Sequence, residues 1–206
     1  MDNKKTLVRF NVQNIKYAVE KTDGSYDSPV AYGSAKKMAL QAESSTKDLF
    51  GDGKRLCSII NEKGKTGTMT TNNVSDDYEI AMGRKIKAKN GLADIKQQKL
   101  VRHAVYFETC GYAEDGSMPI AKTWLYGVTS SRPGEAFDQN TDDINESSFD
   151  TPIKMDGIPM KAADGKAIYK DPKTGMDVLV WQMTSLPGDA DYATFGDAVV
   201  LPQMPA

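Results

Sequence analysis

Histidine, cysteine and tryptophan are scarce in this chain of 206 residues, which contains one His, two Cys and two Trp. General acid–base catalysis, thiol chemistry and zinc binding depend on such side chains, so the composition disfavours an enzyme or a zinc protein. Long hydrophobic runs are also missing: the longest, such as residues 178–181, span four residues and are too short to cross a bilayer. With 39% hydrophobic and 26% charged residues and a mean hydropathy of −0.51, the chain has the composition of a soluble globular protein.

The two cysteines, Cys57 and Cys110, lie far apart in the sequence. Residues 1–10 contain no apolar segment of the kind that a secretory signal requires. We therefore expect assembly in the cytoplasm, where thiols stay reduced, and we expect both cysteines to be free.

The net charge is small, but charge is distributed unevenly along the chain. Lys and Arg number 26 and Asp and Glu 28, which gives a net charge of −2 and a pI near 5.5, whereas a general nucleic-acid-binding protein is basic. Residues 84–102 carry seven bases and one acid, and residues 135–150 carry six acids and no base. Each run fits a solvated face, or two surfaces of opposite potential that meet between copies of the chain.

Period-two alternation of apolar and polar residues dominates the chain and predicts a mainly β fold. The clearest hairpin pairs residues 101–112 with residues 120–128, because Asp115-Gly116 between them supplies the positive φ of a tight turn. A second, more polar hairpin is predicted from residues 56–61 and 66–71 around a turn at 62–65. Further strands are predicted at residues 15–19, 153–160 and 178–183.

One short helix is predicted after Ser75, a suitable N-cap, with Asp76 and Asp77 in its first turn and Gly83 at its end. Two long connections remain, residues 33–55 and 131–150. Connections of about twenty residues are uncommon inside a domain and are often functional or ordered by a partner.

The candidate chemical sites are weak. His103 lies in the middle of an alternating strand, where a structural role is expected. Gly64-Lys65-Thr66 resembles the end of a phosphate-binding loop but lacks the glycine five residues earlier and the helix that follows. Asp138, Asn140 and Asp142 are spaced like the start of a calcium-binding loop, without the glycine and glutamate that complete it. We expect no catalytic activity, no cofactor and no metal, and calcium at residues 138–142 remains an open alternative.

Several short blocks, taken in order, resemble the major tail tube proteins of long, flexible-tailed bacteriophages of Gram-positive bacteria. A strand with the aromatic pair Trp124 and Tyr126 runs into a Ser-Ser-Arg-Pro corner at residues 130–133, an acidic loop rich in Ser and Thr, and a final strand at residues 151–159. Residues 12–19 are similar to the family's first strand, and residues 76–83 lie where the family has its helix or near it.

The resemblance implies two packed β-sheets, in a sandwich or half-barrel, with one short helix. It also implies six copies in a ring and rings stacked into a tube through which genome DNA passes without specific binding. A bore for DNA should not attract phosphate, which suits the slightly acidic chain. The implied partners are further copies of the chain, a tape measure protein, and tail terminator and distal tail proteins at the tube ends, and the implied location is the tail of the virion.

We divide the chain into a tail-tube β domain at residues 1–160 and an added hairpin and extended arm at residues 161–206. Residues 44–55 are expected to dock on a neighbouring subunit. The expected subunit or ring contacts are Leu49, Phe50, Arg55, Arg84, Lys85, Arg132, Asp142 and Asp143. The alternative function is a monomeric β-sandwich binding module for a carbohydrate or a protein, with calcium dependence as its strongest form.

Overall fold

The structure, a computed structural model, describes residues 6–135 and 147–205. It confirms the mainly β fold with one short helix in the described residues. The helix and the strands, in chain order, are β1 (Thr6–Val19), β2 (Val30–Gly33), β3 (Ala35–Gly51), β4 (Lys54–Thr71), α1 (Asp76–Ala81), β5 (Lys85–Ala88), β6 (Gly91–Asp94), β7 (His103–Ala113), β8 (Ile120–Ser130), β9 (Phe149–Met155), β10 (Ile158–Pro159), β11 (Leu179–Val180) and β12 (Gln182–Ser185).

The main sheet has the strand order β2-β1-β7-β8-β9-β4-β3. On the same side of β8, β9 pairs with residues 128–130 and β12 pairs with residues 122–125. Its pairings are all antiparallel. Its two terminal strands, β2 and β3, are consecutive in the chain and are separated by Ser34 alone, and β3 lies close to β1. The sheet therefore curls until its two ends approach each other, as in a half-barrel.

The inside of the curled sheet holds the main hydrophobic core. Strands from both ends of the sheet and the helix contribute buried side chains, among them Tyr17, Met69, Tyr78, Val105 and Leu125. The helix is held as predicted: the Ser75 Oγ accepts a hydrogen bond from the Tyr78 N–H. The helix thus places the Tyr78 ring against that of Tyr17 within the curl.

The outer face of β7 and β8 is covered by the C-terminal part of the chain. Tyr106 and Trp124 on this face form a second buried cluster with Phe195, and the Trp124 Nε1–H donates to the Phe195 carbonyl at 2.7 Å. Val199 and Val200 pack against the same cluster. The strands β7 and β8 are therefore buried on both faces, which explains why apolar residues occur at even and odd positions along them.

The largest difference from the sequence analysis lies in residues 33–71. The expected connection at residues 33–55 is mostly strand β3, and the turn expected at residues 62–65 lies inside the continuous strand β4. The hairpin reverses direction at Asp52-Gly53. Both residues have positive φ, as a type I′ turn in a two-residue hairpin loop requires. Gly64 also has positive φ, but it accommodates an irregularity in the β3–β4 register instead of a reversal.

Gly64 is expected to be intolerant of a side chain. Its φ is 135°, and a Cβ built there would lie 2.5 Å from the Met155 carbonyl oxygen. Gly33 has a similar φ of 140° but open space around a built Cβ, so Gly33→Ala is the matched control for backbone strain alone. We expect Gly64→Ala to lower the free energy of unfolding by about 2 kcal/mol and by clearly more than Gly33→Ala. Urea denaturation measures both, and equal losses would show that the close contact with Met155 has no cost.

Candidate assembly surface

The outer part of the β3–β4 hairpin leaves the body of the protein as a two-stranded ribbon. β9 pairs with β4 only from Lys65 to Thr71, whereas β3 and β4 remain paired with each other to Gly51 and Lys54. Residues 44–62, which we call the ribbon, thus have no third strand beside them in the part of the chain that the structure describes. At about 3.3 Å per residue, each of its strands extends about 30 Å.

The ribbon is exposed along its length, and it is not polar. Except for Gly51, each of its residues is exposed. Phe50, Leu56 and Ile60 are 69%, 70% and 68% exposed, and Leu49 and Ile59 are exposed as well. A two-stranded hairpin is marginally stable on its own in water, and a cluster of exposed large apolar side chains marks an interaction surface. The ribbon therefore has the properties of a segment that is covered by another molecule.

The two faces of the ribbon differ in character. On one face Leu49 lies opposite Cys57, and Ile59 lies opposite Lys47. The other face also carries Phe50 and Ile60, which lie opposite Arg55 and Thr46, but here Asp48 accepts a hydrogen bond from the Ser58 hydroxyl and lies 3.9 Å from the Arg55 guanidinium. The first face, which we call the apolar face of the ribbon, has Lys47 beside its apolar residues and lacks the carboxylate and the ion pair of the other face, so burying it is the less costly choice.

The predicted contact residues fall into three groups. Leu49, Phe50 and Arg55 lie on the ribbon. Arg84, Lys85 and Arg132 lie near the helix, and their side chains make contacts within the chain. Asp142 and Asp143 lie outside the described residues, as does the candidate calcium segment at residues 138–142.

Arg84 is fully buried, so it belongs to the interior of the protomer and presents no charge to a neighbour. Its Nη2 lies 2.9 Å from the Glu79 Oε1, its guanidinium stacks over the Tyr78 ring, and the Ser130 hydroxyl accepts from it at 3.3 Å. Burial raises the pKa of Glu79, and the Arg84 charge partly offsets this effect. The basic run at residues 84–102 thus begins with an internal ion pair.

Lys85 and Arg132 hold neighbouring segments together. Lys85 Nζ lies 2.9 Å from Asp76 Oδ1 at the start of the helix, and this contact raises the Lys85 pKa. Arg132 donates to the carbonyl oxygens of Arg84 and Ile95 and lies 2.9 Å from Asp94. Both side chains are partly exposed, so they remain available at the rim of a contact with another molecule.

The single histidine is structural in its surroundings. His103 is fully buried, its Nδ1–H donates to the Val101 carbonyl, and its Nε2 lies 3.0 Å from the Tyr78 hydroxyl. A carbonyl can only accept, so in the neutral ring Nδ1 carries the proton and Nε2, which carries none, faces the Tyr78 hydroxyl, itself a donor to the Ser130 hydroxyl at 2.8 Å. Burial lowers the pKa of His103 to about 4, and the nearby Arg84 charge acts in the same direction.

The buried neutral histidine makes stability depend on pH. The pKa is about 4 in the folded chain and about 6.5 when unfolded, so between these values the unfolded chain binds more protons and stability falls as the pH falls. We expect this residue to contribute about 3 kcal/mol above pH 6.5 that is lost by pH 4. The free energy of unfolding of the unaltered protein and of His103→Gln, measured from pH 7 to 4, separates the contribution of His103 from that of Glu79, whose raised pKa acts in the opposite direction. If both proteins lost stability equally as the pH falls, the contribution assigned to His103 would be contradicted.

The described residues contain neither a metal-binding cluster nor a disulfide. They contain no group of three or more His, Cys, Asp or Glu placed to hold a metal ion. Cys57 and Cys110 are both free. In the part of the chain that the structure describes, no helix has the length and apolar character needed to cross a membrane.

Sequence reasoning missed Leu56, Ile59 and Ile60 as members of the exposed surface. It placed them in the first strand of a more polar hairpin, at residues 56–61 and 66–71, although the Asp52-Gly53 pair already carried the turn signal for a longer hairpin. Comparison of the chain with models of protein families and with curated proteins gave no match in either case.

Proposed function

We propose that this protein is a structural subunit that assembles with copies of itself, and that the assembly is the tube of a bacteriophage tail, built from stacked rings. The observation that carries the proposal is the ribbon, which extends about 30 Å beyond β9 with Phe50, Leu56 and Ile60 exposed. A subunit that functioned alone would gain nothing from such a surface and would risk aggregation through it.

Contact with a copy of the chain accounts for the ribbon in a simple way. Each copy then offers the same exposed segment and each neighbour covers it, so every ribbon in a closed ring or a tube is buried. The entropic cost of holding the ribbon in one position is offset by the apolar area removed from water. Neighbours at the two tube ends would be different proteins, and we assign those places to a tape measure protein, a tail terminator and a distal tail protein.

The identification with a tail tube rests on the resemblance of residues 124–135 and 151–159 to that family and on the curled, mainly β sheet that joins these segments through β8 and β9. The slightly acidic chain suits a bore that DNA crosses without binding. On this proposal the protein acts in the virion and needs no cofactor, and its activity is assembly.

Electron microscopy and sedimentation velocity of the purified chain test the proposal. We expect rings or tubes with a hollow centre and a sedimentation coefficient that increases with protein concentration. A monomer at all concentrations that is stabilised by calcium or by a glycan would overturn the proposal in favour of a binding module. Measurable turnover of a substrate by the chain alone would overturn it as well.

A further inference from the structure

We propose that the apolar face of the ribbon of one copy lies on one particular surface of the next copy. This surface is formed where the start of β1, the end of β7 and the start of β8 lie side by side. This inference rests on the proposed function, because it specifies which part of the chain receives the ribbon. It concerns a contact between two different surfaces, which can propagate from copy to copy into a ring or a filament.

The receiving surface, which we call the outer patch, is a second group of exposed apolar side chains. In the register of the sheet Val8 lies opposite Tyr112, Phe10 lies opposite Cys110, and Cys110 lies opposite Ile120. Val8, Phe10 and Tyr112 are exposed, and Cys110 and Ile120 are partly buried. Residues paired across strands share a face, so these five side chains form one continuous apolar surface.

The outer patch is the uncovered continuation of a face that the chain otherwise covers itself. Further along the same strands, Lys16 Nζ donates to the Gly196 carbonyl at 2.9 Å and Lys122 Nζ to the Tyr192 carbonyl at 2.8 Å. These contacts hold the C-terminal residues over Tyr106 and Trp124. The cover reaches the Ile120 carbonyl, to which the Tyr192 hydroxyl donates at 2.9 Å, and beyond the polar row of Gln13, Glu108 and Lys122 it leaves Val8, Phe10 and Tyr112 exposed. Exposed apolar side chains at the end of a face that is covered within one molecule are covered most simply by another molecule.

The ribbon and the outer patch lie toward the same end of the sheet. Val128, Met155 and Lys65 stand side by side in β8, β9 and β4. From this row β8 extends back to Ile120 and β4 extends back to Lys54 in the same direction. Copies related by a rotation about an axis along the strands can therefore bring the ribbon of one beside the patch of the next, without a shift along that axis.

Charge at the ends of the two surfaces is complementary. Lys54 follows the turn of the ribbon, and Lys47 lies on its apolar face opposite Ile59. Glu114, which is exposed, follows the outer patch directly after β7. If a ribbon packed on a second ribbon, Lys47 and Lys54 of both copies would come together and repel each other. At the outer patch these lysines meet the opposite charge of Glu114 instead.

The two native cysteines provide the test, because Cys57 lies on the apolar face of the ribbon and Cys110 lies in the outer patch. A short bismaleimide added to the assembled protein is expected to join Cys57 of one copy to Cys110 of the next and to give a ladder of products on a denaturing gel. Cys57→Ser and Cys110→Ser should each reduce the ladder at least tenfold. Mass spectrometry of the joined peptides identifies the pair directly.

A second variant removes any dependence on how accessible the Cys110 thiol is. In Cys110→Ser combined with Tyr112→Cys, the new thiol takes the position of an exposed side chain on the same face, and the ladder is expected to return. Products that join Cys57 to Cys57, or assembled protein in which neither form gives a ladder, would overturn the inference.

The outcomes separate this inference from the proposed function. Rings or tubes that form without a link from Cys57 to residue 110 or 112 would overturn the position of the ribbon and leave self-assembly intact. A monomer that never polymerises would overturn both.

Discussion

Replacing Phe50 by aspartate is expected to leave a folded monomer that no longer forms rings or tubes. The Phe50 ring is 69% exposed in the isolated chain, so the fold loses little when the ring is removed. Phe50 lies near the turn, on the face of the ribbon that carries Asp48, so this variant tests whether another copy covers that face as well as the apolar face. Where it is covered, the change removes a large apolar contact and buries a second carboxylate, which costs at least about 2 kcal/mol. The concentration needed for polymerisation should therefore rise by about 30-fold or more, as sedimentation velocity would show.

Met176 supplies the matched control for this variant. It is 71% exposed and lies in neither the ribbon nor the outer patch, so Met176→Asp introduces the same charge at an equally exposed apolar position. We expect Met176→Asp to polymerise like the unaltered protein and both variants to have the unfolding free energy of the unaltered monomer. Unchanged tubes from Phe50→Asp, or equal loss of assembly in both variants, would contradict the assignment of the ribbon.

Breaking the buried pair of Glu79 and Arg84 is expected to have the largest effect on stability. Both side chains are buried, and within the described residues the Arg84 Nε and Nη1 atoms have no hydrogen-bond partner. Glu79 is thus the main compensation for the buried guanidinium charge. Glu79→Gln should lower the free energy of unfolding by about 3–5 kcal/mol, because it leaves that charge unpaired.

The double variant Glu79→Gln with Arg84→Met separates a buried unpaired charge from a simple loss of packing. Once the guanidinium is gone, the glutamine no longer faces an uncompensated charge, so the double variant should recover at least half of the lost stability. Urea denaturation of Glu79→Gln, Arg84→Met and the double variant gives the three free energies of unfolding that a double-mutant cycle compares with that of the unaltered protein. A loss below about 1 kcal/mol in Glu79→Gln would mean that Arg84 is not held by this carboxylate.

Local signals in the sequence were sufficient for much of the fold. The β7–β8 hairpin follows from its alternation and from Asp115-Gly116, where Gly116 has the positive φ that the turn needs. The helix follows from the Ser75 cap, and it ends at Ala81, two residues before Gly83 with its positive φ. In these elements the local preference and the tertiary structure agree, so a short stretch of sequence is enough to predict them.

The ribbon and the buried arginine could not be predicted in the same way. Residues 44–48 are polar, and none of the residues that the structure describes covers either face of the ribbon, so the periodic pattern that marks a half-buried strand is absent there. Arg84 begins a basic run that resembles a solvated face, and its burial depends on Glu79, which the fold brings beside it. Both features are set by tertiary contacts, or by contacts beyond the chain, and these leave little local signal.

Hydrogen exchange of the ribbon amides, compared between assembled and dissociated protein, tests most directly whether residues 44–62 are covered by another copy. We expect these amides to exchange rapidly in dilute monomer, because the ribbon has few packing contacts of its own, and at least a hundredfold more slowly in the polymer. Amides of residues 103–107 in β7 and 123–128 in β8 should differ little between the two samples, since these parts of the strands are already buried. Ribbon amides that exchange as fast in the polymer as in the monomer would contradict the account.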